Sequence, residues 1–177
     1  TPPNAAAQAI FENGNEVGDL ACKLFPNGVE IPYLNTTFQD KIDLTQEYIN
    51  QGIQNIYEAT FEFDGILIMI DILNIKDNSV IINEVKSSTQ VKDIYLHDAS
   101  IQYYVLNGLG YDVKKVNIIH INNEYVRDEE LDINQLFSVV DVTYEVKELQ
   151  ANIKNNLEII RKTLAKKEEP KKEEVKK

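Results

Sequence analysis

The stretch GILIMIDILNIKDNSVIINEVK, residues 65–86, decides how this chain folds. Its first half is apolar at nearly every position, as a strand covered on both faces must be. The second half, SVIINEV, is again rich in β-branched residues, and Asp77-Asn78 between the halves supplies a two-residue polar turn. A hairpin on that turn pairs residues whose numbers sum to 155, which sets Asp71 directly opposite Glu84. Opposed residues on one face lie about 5 Å apart at Cβ. Because side chains alternate, Lys86 shares the face of Glu84 while Val85 points away. A slip of one residue would send Asp71 to the other face.

Two adjacent buried carboxylates repel, and a divalent cation is the usual way to hold both ionised. A lysine beside them would hold an attacking water or stabilise charge developing on a phosphate. Acid-x-Lys triplets are common, and a surface ion pair between Lys86 and Glu84 accounts for the triplet taken alone. It does not account for Asp71, the one charge in an otherwise apolar strand.

Working outward, residues 8–25 read as an amphipathic helix through Ile10, Val17, Leu20, Ala21 and Leu24, with Gly14 and Gly18 inside it. Residues 43–51 suggest a second helix capped by Thr45. NIYEATFEF from Asn55 is a strand leading into the hairpin. A helix follows over about 91–109, with Ser88 or Thr89 available as its cap and Gly110 as its stop, then a strand at 113–121. Residues 143–167 read as a long charged helix, and 168–177 as a disordered charged tail. The order predicts one α/β domain over residues 1–167, a mixed central β-sheet flanked by helices with its core at about 8–127.

The 177 residues carry a net charge of -11, unevenly placed. Residues 1–146 hold 8 Lys and Arg against 23 Asp and Glu, while 147–177 hold 10 against 6. An acidic body predicts weak affinity for nucleic acid by the chain alone, unless a bound metal or a partner reverses the local field. No apolar run approaches the ~20 residues that span a bilayer, so no membrane partner is expected. TPPNAAAQ lacks the features of a secretory signal, and a chain beginning at Thr1 is expected to be a processed form or a piece of something longer. Cys22, the single cysteine, allows no internal disulfide and fits a reducing, cytoplasmic setting.

Asp71, followed by Glu84-Val85-Lys86 on the next strand, resembles the core of the PD-(D/E)XK superfamily, in particular RecB-like nucleases that include CRISPR-associated exonucleases. GNEVGDLA, EVKSST and DASIQYYVLNGLG, in this order, are similar to an uncharacterised bacterial RecB-like family. The resemblance implies a restriction-endonuclease-like core and a metal-dependent (exo)deoxyribonuclease, with DNA hydrolysed by a metal-activated water and Mg²⁺ or Mn²⁺ as cofactor. It implies Asp71, Glu84 and the Val85 carbonyl as metal ligands, with Lys86 orienting the water. It adds Glu16, where relatives place a metal-binding His, although a solvated helix face with Glu12 and Asp19 explains Glu16 as well. Gln102 matches a glutamine that contacts substrate or braces Lys86, although a plain helix-surface glutamine explains it as well; the family's tyrosine four residues later is Leu106 here. Some relatives bind an iron–sulfur cluster, which the lone Cys22 cannot support within this chain. The alternative is a catalytically silent module that keeps the fold for interaction within a larger protein.

The remaining candidates have plainer readings. His120 on an apolar strand reads as a satisfied core residue, and His97 as a surface or capping residue. Glu58 and Glu62 alternate along their strand, with Asp64 at its end, and either glutamate would line a metal cleft or face solvent. Tyr103 and Tyr104 read as core packing rather than base stacking.

Overall fold

The computed structural model describes residues 14–126 and 130–157. Six strands form one mixed sheet in the order β1 to β6: Val29–Glu30, Asn55–Phe63, Ile66–Lys76, Ser79–Val85, Asp112–Ile121 and Phe137–Asp141. β1 runs parallel to β2 and β4 parallel to β5; the other neighbours are antiparallel. Each parallel pair is joined through a helix, as such crossovers require. These are α2 (Phe38–Asn50) and α3 (Asp93–Gly108). The remaining helices are α1 (Gly14–Ala21), which continues as a 3₁₀ turn over Cys22–Leu24, α4 (Ile133–Leu136), α5 (Thr143–Glu148) and α6 (Gln150–Asn155). This is the expected α/β arrangement of a mixed sheet flanked by helices, consistent with a restriction-endonuclease-like core.

Two apolar layers sandwich the sheet. The larger packs α2, α3 and α5 against Ile56, Ile70, Leu73, Ile82 and Ile118. The smaller packs α1 and α4 against Ile72, Ile119 and Ile121. Both hairpins form where the polar dipeptides sit. Asp64 and Gly65 both take positive φ, 55° and 76°, which matches the right-handed strand twist, and Asp77 takes φ 57°. The β3–β4 ladder runs from Lys76–Ser79 to Ile72–Asn83, the register that the turn dictates.

Several expected boundaries shift. α2 begins at Phe38, capped by Thr37 in a reciprocal box with Asp40, so Thr45 is not its cap. Thr45 is buried, donating to the Lys41 carbonyl at 2.7 Å and accepting from Thr60 N–H at 3.0 Å. Neither Ser88 nor Thr89 caps α3, which starts after Lys92 without a side-chain cap; the Ser88 hydroxyl instead accepts from Gln90 N–H. The described part of the expected 143–167 helix is broken at Leu149 into α5 and α6. Residues 8–13 and 158–177, including the expected tail, lie outside the described residues. β1, of two residues, and β6, of five, are too short to stand out in the sequence.

Ile72 is fully buried between β3 and α1. Ile72→Ala is expected to cost about 2–5 kcal/mol, from lost transfer energy and the residual cavity. Guanidinium denaturation would read this as a lower midpoint at unchanged slope.

Candidate functional site

The regular alternation of β2 and β3 fails at one place on each strand. Ile66, Ile68 and Ile70 face the larger core, but the next residue there is Leu73, while Ile72 turns to the other side. On β2, Ala59, Phe61 and Phe63 face the larger core, as does Ile56, while Tyr57 turns away. The two slips fall on Asp71 and Glu58. These residues stand across from each other, between the Tyr57–Ile72 and Ala59–Ile70 pairs, and Glu58 has φ 61°. A positive φ at a glutamate is a strained backbone, held here by regular pairing on both sides. Thr60 braces it, its hydroxyl donating to the Glu58 carbonyl at 3.0 Å.

Beyond Asn83 the β3–β4 ladder stops, and β4 continues along β5 alone. The Asp71 carboxylate fills the gap, accepting from Val85 N–H at 2.7 Å. Here Asp71 and Glu84 come together at the position that the hairpin register gives them, although the ladder itself stops one pair earlier. Glu84 is 8% exposed, and one of its oxygens, Oε1, has no partner. Burial, then the neighbouring Asp71, raises the Glu84 carboxyl well above the ordinary range, against which Lys86 and the Gln102 amide pull downward.

Lys86 lies on the α3 side with Glu84. Its ammonium is 3.5 Å from Glu84 Oε2 and 3.1 Å from Asp98 Oδ2, and 4.9 Å from the Tyr95 ring centroid. Burial works against this charge, but Glu84, Asp98 and Asp71 outweigh it and raise the lysine above its ordinary value. Lys86 is therefore a fixed cation rather than a neutral base.

These groups open onto a cleft of about 680 Å³ lined by α1, β1 and β2 as well as the hairpin. Asp71, Val85 and Lys86 line it, together with Asp19, Cys22, Glu30, Lys41 and Glu58. Glu58 is pushed up to about 7, first by burial and then by Asp71 and Glu30. Cys22 is pushed up to about 12 by burial and four nearby carboxylates, so the thiol stays protonated. Gly18 faces this open space: a Cβ there would meet nothing within 4 Å, so no close packing explains it.

Asp71, Glu84, Val85, Lys86 and Gln102 are brought together. Gln102 is 6% exposed, its Oε1 has no partner, and its amide helps to lower Glu84. Glu16 is on α1 but is not among the residues lining the cleft; Asp19 from the same helix is. Glu58 lines the cleft, whereas Glu62 is exposed and Asp64 accepts from the Tyr104 hydroxyl at 2.9 Å. Tyr103 packs against the larger core, as does Tyr104. His120 bonds the Ile121 carbonyl at 2.9 Å, and the His97 carbonyl accepts from Ser100. Asp98 and Lys41 escaped the sequence reading. Asp98 sits in the α3 stretch already singled out, but nothing in chain order turns it toward Lys86.

The sequence matches no protein-family model and no curated protein. Among solved structures it is similar to an alkaline exonuclease from Laribacter hongkongensis. That likeness has a TM-score of 0.35 and 13% identity, covering 93% of this chain and 91% of that one. No helix among the described residues is long and apolar enough to cross a membrane.

Glu58 and Glu84 both titrate above their unfolded values, so each favours the folded state at low pH. That contribution is complete below the ordinary carboxylate range and is lost as pH rises through the folded value, about 7 for Glu58. The melting temperature in metal-free buffer should therefore fall between pH 5 and pH 8. Glu58→Gln should flatten that fall and raise stability at pH 8, as read by thermal melts across the series.

Proposed function

We propose that this chain is a metal-dependent nuclease that hydrolyses phosphodiester bonds, with DNA as substrate and water as nucleophile. The observation that carries the reading is the Asp71–Glu84 contact. Two carboxyls touch inside an apolar sheet, one buried oxygen of Glu84 has no partner, and a fixed lysine cation stands beside them. Without a cation the pair persists only by holding a proton, which is the situation a divalent ion relieves.

The donor set suits a hard cation. Asp71 and Glu84 would hold Mg²⁺ or Mn²⁺, with the Val85 carbonyl completing the protein's share; Glu16, if it contributes, does so from α1. Such an ion supplies Lewis acidity at the phosphate and acidifies water at neutral pH. The chain's own groups do the positioning. Gln102 fixes the Glu84 carboxylate, and Asp98 and Tyr95 fix Lys86. Lys86 keeps its charge and is placed to orient the water or to steady the negative charge that grows on the phosphoryl oxygens.

One observation favours a second reading, a silent module of the same fold. Among the described residues no three His, Cys, Asp or Glu side chains form a ready metal cluster. The two readings separate on labelled single- and double-stranded DNA with Mg²⁺ or Mn²⁺. Lys86→Ala should lower cleavage by about two to three orders of magnitude while leaving the protein folded. Equal cleavage by both proteins would remove Lys86 from the mechanism. No cleavage by folded wild type would favour the module. Asp98→Asn should lower cleavage less than Lys86→Ala, because it loosens the lysine without removing it.

A further inference from the structure

The cleft contains a second lysine, which no carboxylate among the described residues approaches within ion-pair distance. Lys41, in the first turns of α2, is only 6% exposed and lines the cleft with Asp71 and Lys86. Its ammonium lies 4.8 Å from the Tyr33 ring centroid and 5.4 Å from that of Phe38. Among the described residues it makes no ion pair within 4.0 Å and no side-chain hydrogen bond. Most of the side chain is buried while the ammonium opens to the cleft, and aromatic faces return only part of the water that such a charge loses. Glu58 and Glu30 share the cleft, and Lys41 lowers Glu58, yet neither carboxylate closes on the lysine.

The placement is rigid. Thr37 and Asp40 cap the start of α2, and Thr45 ties the Lys41 carbonyl to the Thr60 N–H of β2. A fixed ammonium offers three donors and no acceptor, so its ligand is an anion. Two lysines, exposed Tyr33 and half-buried Tyr95 along one cleft fit a chain of phosphates carrying flat bases. We propose that Lys41 is a positioning residue that binds a phosphate group of the nucleic-acid strand, apart from the phosphate beside Asp71, Glu84 and Lys86. This rests on the nuclease reading for the identity of the strand. It gives the acidic body a cation at contact range, where long-range attraction is absent.

The test is binding of a labelled single strand of roughly ten nucleotides, with Ca²⁺ replacing Mg²⁺, titrated with KCl. Lys41→Gln should weaken binding roughly tenfold and reduce the salt slope by about 0.7, the share of one phosphate contact. Lys41→Arg should keep the wild-type slope. Tyr33→Ala trims a side chain that is 70% exposed and should weaken binding by a smaller factor. On cleavage, Lys41→Gln should raise KM more than it lowers kcat.

An unchanged slope in Lys41→Gln, or no binding by wild type, overturns the proposal. A lysine that only offsets the acidic wall would shift melting temperature and leave the slope alone. If Lys41→Gln does not fold, unchanged binding by Tyr33→Ala overturns it equally. Lys86-dependent cleavage with a Lys41-independent slope would sink this inference alone. A Lys41-dependent slope with no cleavage by folded wild type would sink the nuclease reading alone.

Discussion

Asp71 and Glu84 come together inside a largely apolar sheet, and each neighbouring feature answers the cost of holding them there. Two carboxyls cannot both ionise in that setting without a counter-charge. The β3–β4 ladder therefore ends one pair short, and Asp71 takes the Val85 N–H in place of a backbone carbonyl. Gln102 spends its amide on Glu84, and Lys86 brings a cation within 3.5 Å. Lys86 is itself half-buried and draws Asp98 and Tyr95 from α3. One acidic residue in a central strand thus organises a hairpin end and a whole helix face.

Backbone strain is gathered at the same spot. Regular strands would put Ile70 and Ile72 on one face, but the paired slips at Glu58 and Asp71 leave Ile70 on the larger core and turn Ile72 away from it. The slips cancel in register, because each strand gives up one step, so pairing stays in phase on both sides. A single slip would have displaced every later side chain on one strand. The Thr45–Thr60 link carries the adjustment to α2 and so sets the height of Lys41 over the cleft.

The net charge looks hostile to a polyanion, yet the distances involved soften the conflict. Surface charges are screened beyond about 8 Å at physiological ionic strength, whereas the cleft cations act at contact range with little water between. An acidic exterior slows encounter more than it weakens a docked complex.

The hairpin was legible because its turn residues and its alternation obey local rules. Asp77-Asn78 set the register, and the register alone put Asp71 against Glu84 and Lys86 beside them. The mixed sheet and the crossover helix α3 followed from period and length. The starts of α2 and α3 were misplaced, since Thr37 and Thr45 are both good caps and only packing shows that Thr45 is spent on Thr60. Local pattern left Glu58 between cleft and solvent, and could not reveal Asp98 on Lys86 or Lys41 between two rings. Each depends on residues that are distant in sequence, and on a paired slip that no periodicity announces. Sequence determined which two carboxylates would meet, because opposition in a hairpin is arithmetic. Tertiary structure decided what surrounds them, because burial and charge depend on which helices the sheet draws over its faces.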